Sequence, residues 1–294
     1  MKQIKDIKNK IEWEQYYSPD FDWANIAFYA NNILSEEFIR EFQDKINWKH
    51  VSRCQKLSED FIREFQDKVN WKEISWNQKL SEDFIREFQD KVYWNNISSF
   101  QTLSENFIKE FQDKVHWNNI FQHKKLTESF LKNDFPNLPK TQDIFMLQNL
   151  NIAFIFQDLS EEIIRIFIDK YKAHKKLSII DWNKISQYQI LSENFIREFK
   201  DKVNWERISQ YQTLSEDFIR EFKDKVDWDS ISKCQKLSEE FIEEFKHKIY
   251  WNKLFKYNEK VNLSKEFKRK YMWVAQLCNE LLQLSDDLLI NGEE

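Results

Sequence analysis

One stretch returns along the chain at a nearly fixed interval, and it constrains the fold more than any other feature. Its clearest copy, Leu57–Lys79, reads LSEDFIREFQDKVNWKEISWNQK. The opening Leu stands at Leu34, Leu57, Leu80, Leu103, Leu126, Leu159, Leu191, Leu214, Leu237 and Leu263, and a Trp recurs at Trp48, Trp71, Trp94, Trp117, Trp182, Trp205, Trp228 and Trp251. Most steps are 23 residues. A period of this length marks an array of stacked units, each touching only its neighbours, so the 294 residues need no single central core. The expected fold is all-α: an α-solenoid of about ten 23-residue two-helix repeats with helical caps and two central insertions.

Within the unit, Ser58 is placed to cap a first helix, and Glu59 and Asp60 suit the positive end of its dipole. Phe61, Ile62, Phe65 and Val69 fall on one stripe if that helix runs on to Val69. Asn70 offers a second N-cap, and Trp71 with Ile74 defines the buried side of a shorter helix ending near Gln78. Glu59 with Arg63 and Glu64 with Lys68 stand four apart with the acid first, the favourable order for pairing along a helix. Glu82 with Arg86, Glu87 with Lys91, Glu193 with Arg197 and Glu216 with Arg220 repeat this spacing. Gln55, Gln78, Gln101, Gln189, Gln212 and Gln235, two residues before each repeat Leu, are expected to satisfy backbone groups at the turn between units.

The organisation follows from where the pattern holds. Residues 1–33 read as an N-terminal cap helix, over Lys2 to about Tyr17, and a partial repeat around Trp23 and Ile26. Regular repeats fill 34–126 and 182–262. Between them, 127–181 is irregular, because the steps from Leu126 to Leu159 and from Leu159 to Leu191 carry ten and nine extra residues. Pro136 and Pro139 end the helix of the first long unit, Leu150 and Ala153 resume it, and the second adds Lys172 to Ile180. In that second unit Ile166 and Ile168 stand where other repeats are polar or charged, so the inserted segments cover them or they meet a partner. Residues 263–294, with Trp273, Leu277, Leu281, Leu284 and Leu288, read as the C-terminal cap.

The composition argues against several functions. A single Gly, Gly292, leaves nothing for a phosphate-cradling loop. Cys54, Cys234 and Cys278 form no CxxC, the five His form no HExxH, and no GxSxG occurs, so no catalytic residue, cofactor or metal is expected. With 45 bases against 50 acids, and an acid one turn from each first-helix base, the totals show no electrostatic footprint for nucleic acid. No apolar run reaches the roughly 18 residues of a membrane span, and MKQIKDIKNKIEW lacks the core of a signal peptide. A cytoplasmic protein without membrane contact is expected.

Comparing the repeats with one another separates frame from free positions. The first helix hardly changes, whereas the second varies: His50 and Arg53; Trp76 and Asn77; Asn95, Asn96 and Phe100; Asn118 and Asn119; Arg207 and Tyr211. Positions three and four apart share a helix face, so these residues line one surface, shaped either by drift or by recognition of a partner. Trp76 is an extra Trp beyond the ladder and is the candidate anchor.

The unit LSEDFIREFQDKVNW with its later ISxxQ resembles short helical repeats in proteins of bacteriophages and giant DNA viruses, over nearly the whole chain. The resemblance implies a viral or phage origin and a host-directed role, such as inhibition of a host antiviral defence complex in the host cytoplasm. The expected function is a non-enzymatic protein-binding scaffold. The alternative is a nucleic-acid-binding solenoid or an inhibitor of a nucleic-acid-guided nuclease, as an anti-CRISPR would be.

Overall fold

A computed structural model of the chain describes residues 27, 34–135, 151–172, 180–274, 276 and 277. The expected N-terminal cap helix, Trp23 and Ile26, Pro136, Pro139 and Leu150, most of the second insertion, and Leu281, Leu284 and Leu288 of the C-terminal cap lie outside these residues. Among the described residues all regular structure is helical. The chain divides into two compact units, residues 1–149 and 150–294, each a short α-solenoid.

In the first unit, first helices Glu36–Glu41, Glu59–Glu64, Glu82–Glu87 and Glu105–Glu110 alternate with second helices Trp48–Cys54, Trp71–Asn77, Trp94–Phe100 and Trp117–His123. A π-helical turn, Phe130–Asp134, follows. The second unit holds the longer helix Glu161–Lys172, then first helices Glu193–Glu198, Glu216–Glu221 and Glu239–Glu244 interleaved with second helices Trp182–Tyr188, Trp205–Tyr211, Trp228–Cys234 and Trp251–Tyr257. In each unit the second helices pack directly on one another.

The first helix is shorter than its apolar stripe suggests. It ends at Glu64: Phe65 leaves helical geometry at φ −108° and ψ 29°, and the amides of Lys68 and Val69 both donate to the Phe65 carbonyl, at 2.9 and 3.0 Å. Val69 therefore reaches the core from a tight turn and not from a third helical turn. Trp71 secures that turn by donating its indole N–H to the Gln66 carbonyl at 2.9 Å, which satisfies a group the ended helix leaves open. The same ring lies 4.9 Å from Phe88 and 6.3 Å from Phe84, so each Trp joins its own turn to the next repeat's core.

The caps are as the sequence implies. Ser58 accepts from the Phe61 amide and Asn70 from the Glu73 amide, and the Ser cap recurs at Ser35, Ser81, Ser104, Ser192, Ser215 and Ser238. Phe61, Ile62 and Ile74 are fully buried, as are Phe84, Ile85, Ile97, Phe218, Ile219 and Ile231 at the matching positions.

Neighbouring repeats are fastened through their backbones. The buried Gln78 accepts from the Leu57 amide that opens its own repeat at 3.0 Å and donates to the Ser52 and Gln55 carbonyls of the preceding repeat at 2.9 and 2.7 Å, so one amide group meets three backbone groups at the joint between repeats. Gln101, Gln189, Gln212 and Gln235 do the same. Gln55 accepts from the Leu34 amide at 3.0 Å and donates to the Ala27 carbonyl at 2.6 Å. Ser75 accepts from the Tyr93 amide of the next repeat at 2.9 Å, and Glu59 accepts from the Ser81 amide at 2.6 Å. Both bonds recur along the regular repeats.

The charge pairing departs from expectation in its direction. Arg63 reaches Glu59 only at 3.8 Å but meets Glu87 of the next repeat at 2.8 Å and Asp60 at 2.9 Å. Glu64 pairs with Arg40 of the preceding repeat and Lys68 with Asp44, so the expected Glu64–Lys68 and Glu87–Lys91 pairs give way to bonds between repeats. The early end of the helix at Glu64 carries Lys68 out of step with it. The hydrogen bond that Arg63 donates to Glu87 holds its guanidinium above the ordinary pKa, against a smaller opposing effect of burial.

Candidate partner-binding face

The second helix turns Ile74 and Ser75 inward and leaves its second, sixth and seventh residues, Lys72, Trp76 and Asn77, exposed. Trp76 and Phe100 are 49% and 51% exposed, large apolar rings that the core does not use. They stack on each other across two repeats, with centroids 5.3 Å apart and planes 9° from parallel. His123 of the next repeat continues the row, 6.4 Å from Phe100 at 26°. Sequence reasoning names Trp76 and Phe100 separately, and the stacking of helix on helix brings them together.

Of the other expected positions, Arg53, Asn77, Asn95 and Asn118 are exposed and His50 is half-buried. Asn119 donates to the Asn95 carbonyl at 3.1 Å and to its side-chain oxygen at 3.2 Å, so this pair helps hold the face in shape. Asn96 does not belong to the surface: it is buried and donates to the Lys72 carbonyl at 3.0 Å, another fastening between repeats. In the second unit Tyr211 is exposed, with the Arg207 guanidinium 6.0 Å from its ring centre, and Tyr188 and Tyr257 hold the matching place in their repeats.

Ile168 is likewise no partner residue, since it is 2% exposed. A regular repeat leaves its helix where Phe167 stands, but here the helix continues to Lys172, so Ile163, Ile164, Phe167 and Ile168 share one inward face. Ile166 stays half-buried on the other side.

Among the described residues, no group of three or more His, Cys, Asp or Glu is placed to hold a metal ion, and no helix is long and apolar enough to cross a membrane. The grooves between repeats are shallow, one of them lined by Gln66, Asp67, Asn70, Trp71, Lys72, Lys91 and Tyr93. The residues that sequence reasoning missed are structural: the Ser row and the Glu-to-Ser bonds. The Ser that follows the buried aliphatic residue in most second helices is plain in the sequence, but nothing in a single repeat shows that its hydroxyl serves the next one. No known protein family, curated protein or solved structure matches the chain.

Proposed function

We propose that this protein is a non-enzymatic scaffold that binds a protein partner through the exposed face of its second helices. One observation carries the reading. The residues that recur in most regular repeats, Ser, Glu, Gln, Arg and Trp, are engaged in fastening repeat to repeat, whereas the exposed second-helix positions differ between repeats and include large aromatic rings. An aromatic ring left in water beside amides and bases is the usual anchor of a protein interface. The resemblance to phage and giant-virus repeats extends the proposal to a host antiviral complex as the partner.

Capture from host lysate by the tagged full chain, followed by reconstitution with the purified partner, tests this. A stoichiometric protein partner whose binding falls on Trp76→Ala supports the proposal. A salt-sensitive complex with RNA or DNA and no protein would refute it.

A further inference from the structure

The net charge of −5 conceals a division within the first unit. Its second-helix segments 47–56, 70–79, 93–102 and 116–125 carry seven Lys or Arg against one acid, Glu73. Its first-helix segments lean the other way, as Glu59, Asp60, Glu64 and Asp67 against Arg63 and Lys68 show. The bases of the two rows are used differently. On the first-helix side Arg40, Arg63, Arg86, Lys68, Lys91 and Lys114 are each paired with a carboxylate of another repeat. On the second-helix side Lys49, Arg53, Lys56, Lys72 and Lys79 are exposed and make no ion pair among the described residues. The second unit lacks this asymmetry, because its matching segments 181–190, 204–213, 227–236 and 250–259 carry six Lys or Arg against five acids.

We infer that the second-helix face of the first unit docks an acidic segment of a protein partner, with apolar side chains of that segment set against the Trp76–Phe100 ridge. This deepens the function proposed above and rests on it. Two observations favour a protein over a nucleic acid. Bases stack on open ring faces, but Trp76 and Phe100 cover one face of each other and His123 also stacks near Phe100, 6.4 Å away. The row therefore leaves fewer open ring faces than separate rings would and forms an apolar ridge suited to Leu or Phe side chains. The carboxylates of the first helices belong to the same repeats and repel a long uniform polyanion, whereas a short acidic segment need meet only the basic row.

The test uses the full chain and fluorescence anisotropy with three labelled probes: a short peptide of Glu, Asp, Leu and Phe, its Gln and Asn counterpart, and single-stranded oligothymidylate. The acidic peptide should bind best, weaken as salt rises, and lose about tenfold or more in affinity with Arg53→Glu, Lys72→Glu and Lys79→Glu combined. Lys233→Glu with Lys236→Glu in the second unit should leave binding unchanged. Circular dichroism checks the fold, and if the reversals unfold the chain, the corresponding Gln variants and the salt series decide between the same outcomes. Equal binding of the neutral peptide, tighter binding of oligothymidylate, equal loss from the second-unit reversal, or sedimentation showing that the basic row instead binds the acidic row of a second copy would each overturn the inference. A purified partner that binds in full stoichiometry yet ignores the first-unit reversals would sink this inference alone. Absence of any protein partner would sink the function proposed above.

Discussion

Gln78→Leu keeps nearly the volume of the side chain and removes only its polarity, so it isolates the worth of one fastening between repeats. Gln78 is 6% exposed and its three partners are backbone groups. Without it, the Leu57 amide is a buried donor with no acceptor, and the Ser52 and Gln55 carbonyls at the end of their helix lose a shared donor. An orphaned buried donor costs about 1–3 kcal/mol and an under-satisfied carbonyl less, so the loss should total about 2–5 kcal/mol. Urea unfolding followed by far-ultraviolet circular dichroism reads it, with the neighbouring exposed Lys79→Ala as control, expected within about 0.5 kcal/mol of the parent. Gln78→Glu sharpens the experiment. Its carboxylate can still accept from Leu57 but faces two carbonyls, so burial and those oxygens raise its folded pKa above the unfolded value of about 4.3. The defect should then be smallest in acid, where the protonated group can donate again, and grow as pH rises through that range. A loss under about 1 kcal/mol for Gln78→Leu, or a pH-independent defect for Gln78→Glu, would refute the role given to the Gln row.

Trp76→Ala should leave the urea midpoint within about 0.5 kcal/mol of the parent while weakening partner binding, because the ring lies outside the core; a large drop in stability would show that the stack holds the helices together. Arg63→Ala removes partly exposed ion pairs and should cost no more than about 1 kcal/mol, an effect that fades in high salt, as urea titrations with and without added salt would show. Hydrogen bonds from Lys225 and Lys270 hold the Asp201 and Glu243 carboxyls below the usual range. A depressed folded pKa gives stability that is present above the ordinary carboxylate value of about 4 and lost as pH falls through the folded one, so acid unfolding should be shallower in Asp201→Asn. Replacing the fully buried Phe121 by Ser should cost about 3–5 kcal/mol in the same urea assay, although most regular repeats have Ser in that place.

The two-helix unit, its caps and its apolar core were legible because they depend on spacing within one copy: Ser58 before Glu59, Asn70 before Trp71, Phe61 beside Ile62. The direction of the ion pairs was not. Glu64 and Lys68 are four apart in sequence, but the chain leaves the helix between them, and their partners lie in the preceding repeat, Arg40 and Asp44. Asn96 shows the same limit at the candidate face, since its burial comes from the carbonyl of Lys72 in the preceding repeat. Periodicity fixes which side of a helix a residue occupies, whereas the distance between stacked units decides which of those residues water reaches.

Phe121 points to a rule about where the stack changes. The Ser of each regular second helix, as in Ser75, accepts the amide that opens the next one. Phe takes its place at Phe121, Phe154 and Phe255, and each stands in the second helix just before an irregular repeat, those opening at Leu126, Leu159 and Leu263. A hydroxyl buried there without its partner would be costly. Phe121 instead packs edge-on against Phe135 at 5.3 Å, and the amide of Asp181 finds Asn151 in place of a Ser. The same logic separates the two tasks of the second helix. Its inward Ser and Gln can change only when the neighbouring repeat changes with them, while among the described residues Trp76, Phe100, Lys72 and Lys79 make no side-chain hydrogen bond to another repeat's backbone and are free to follow a partner.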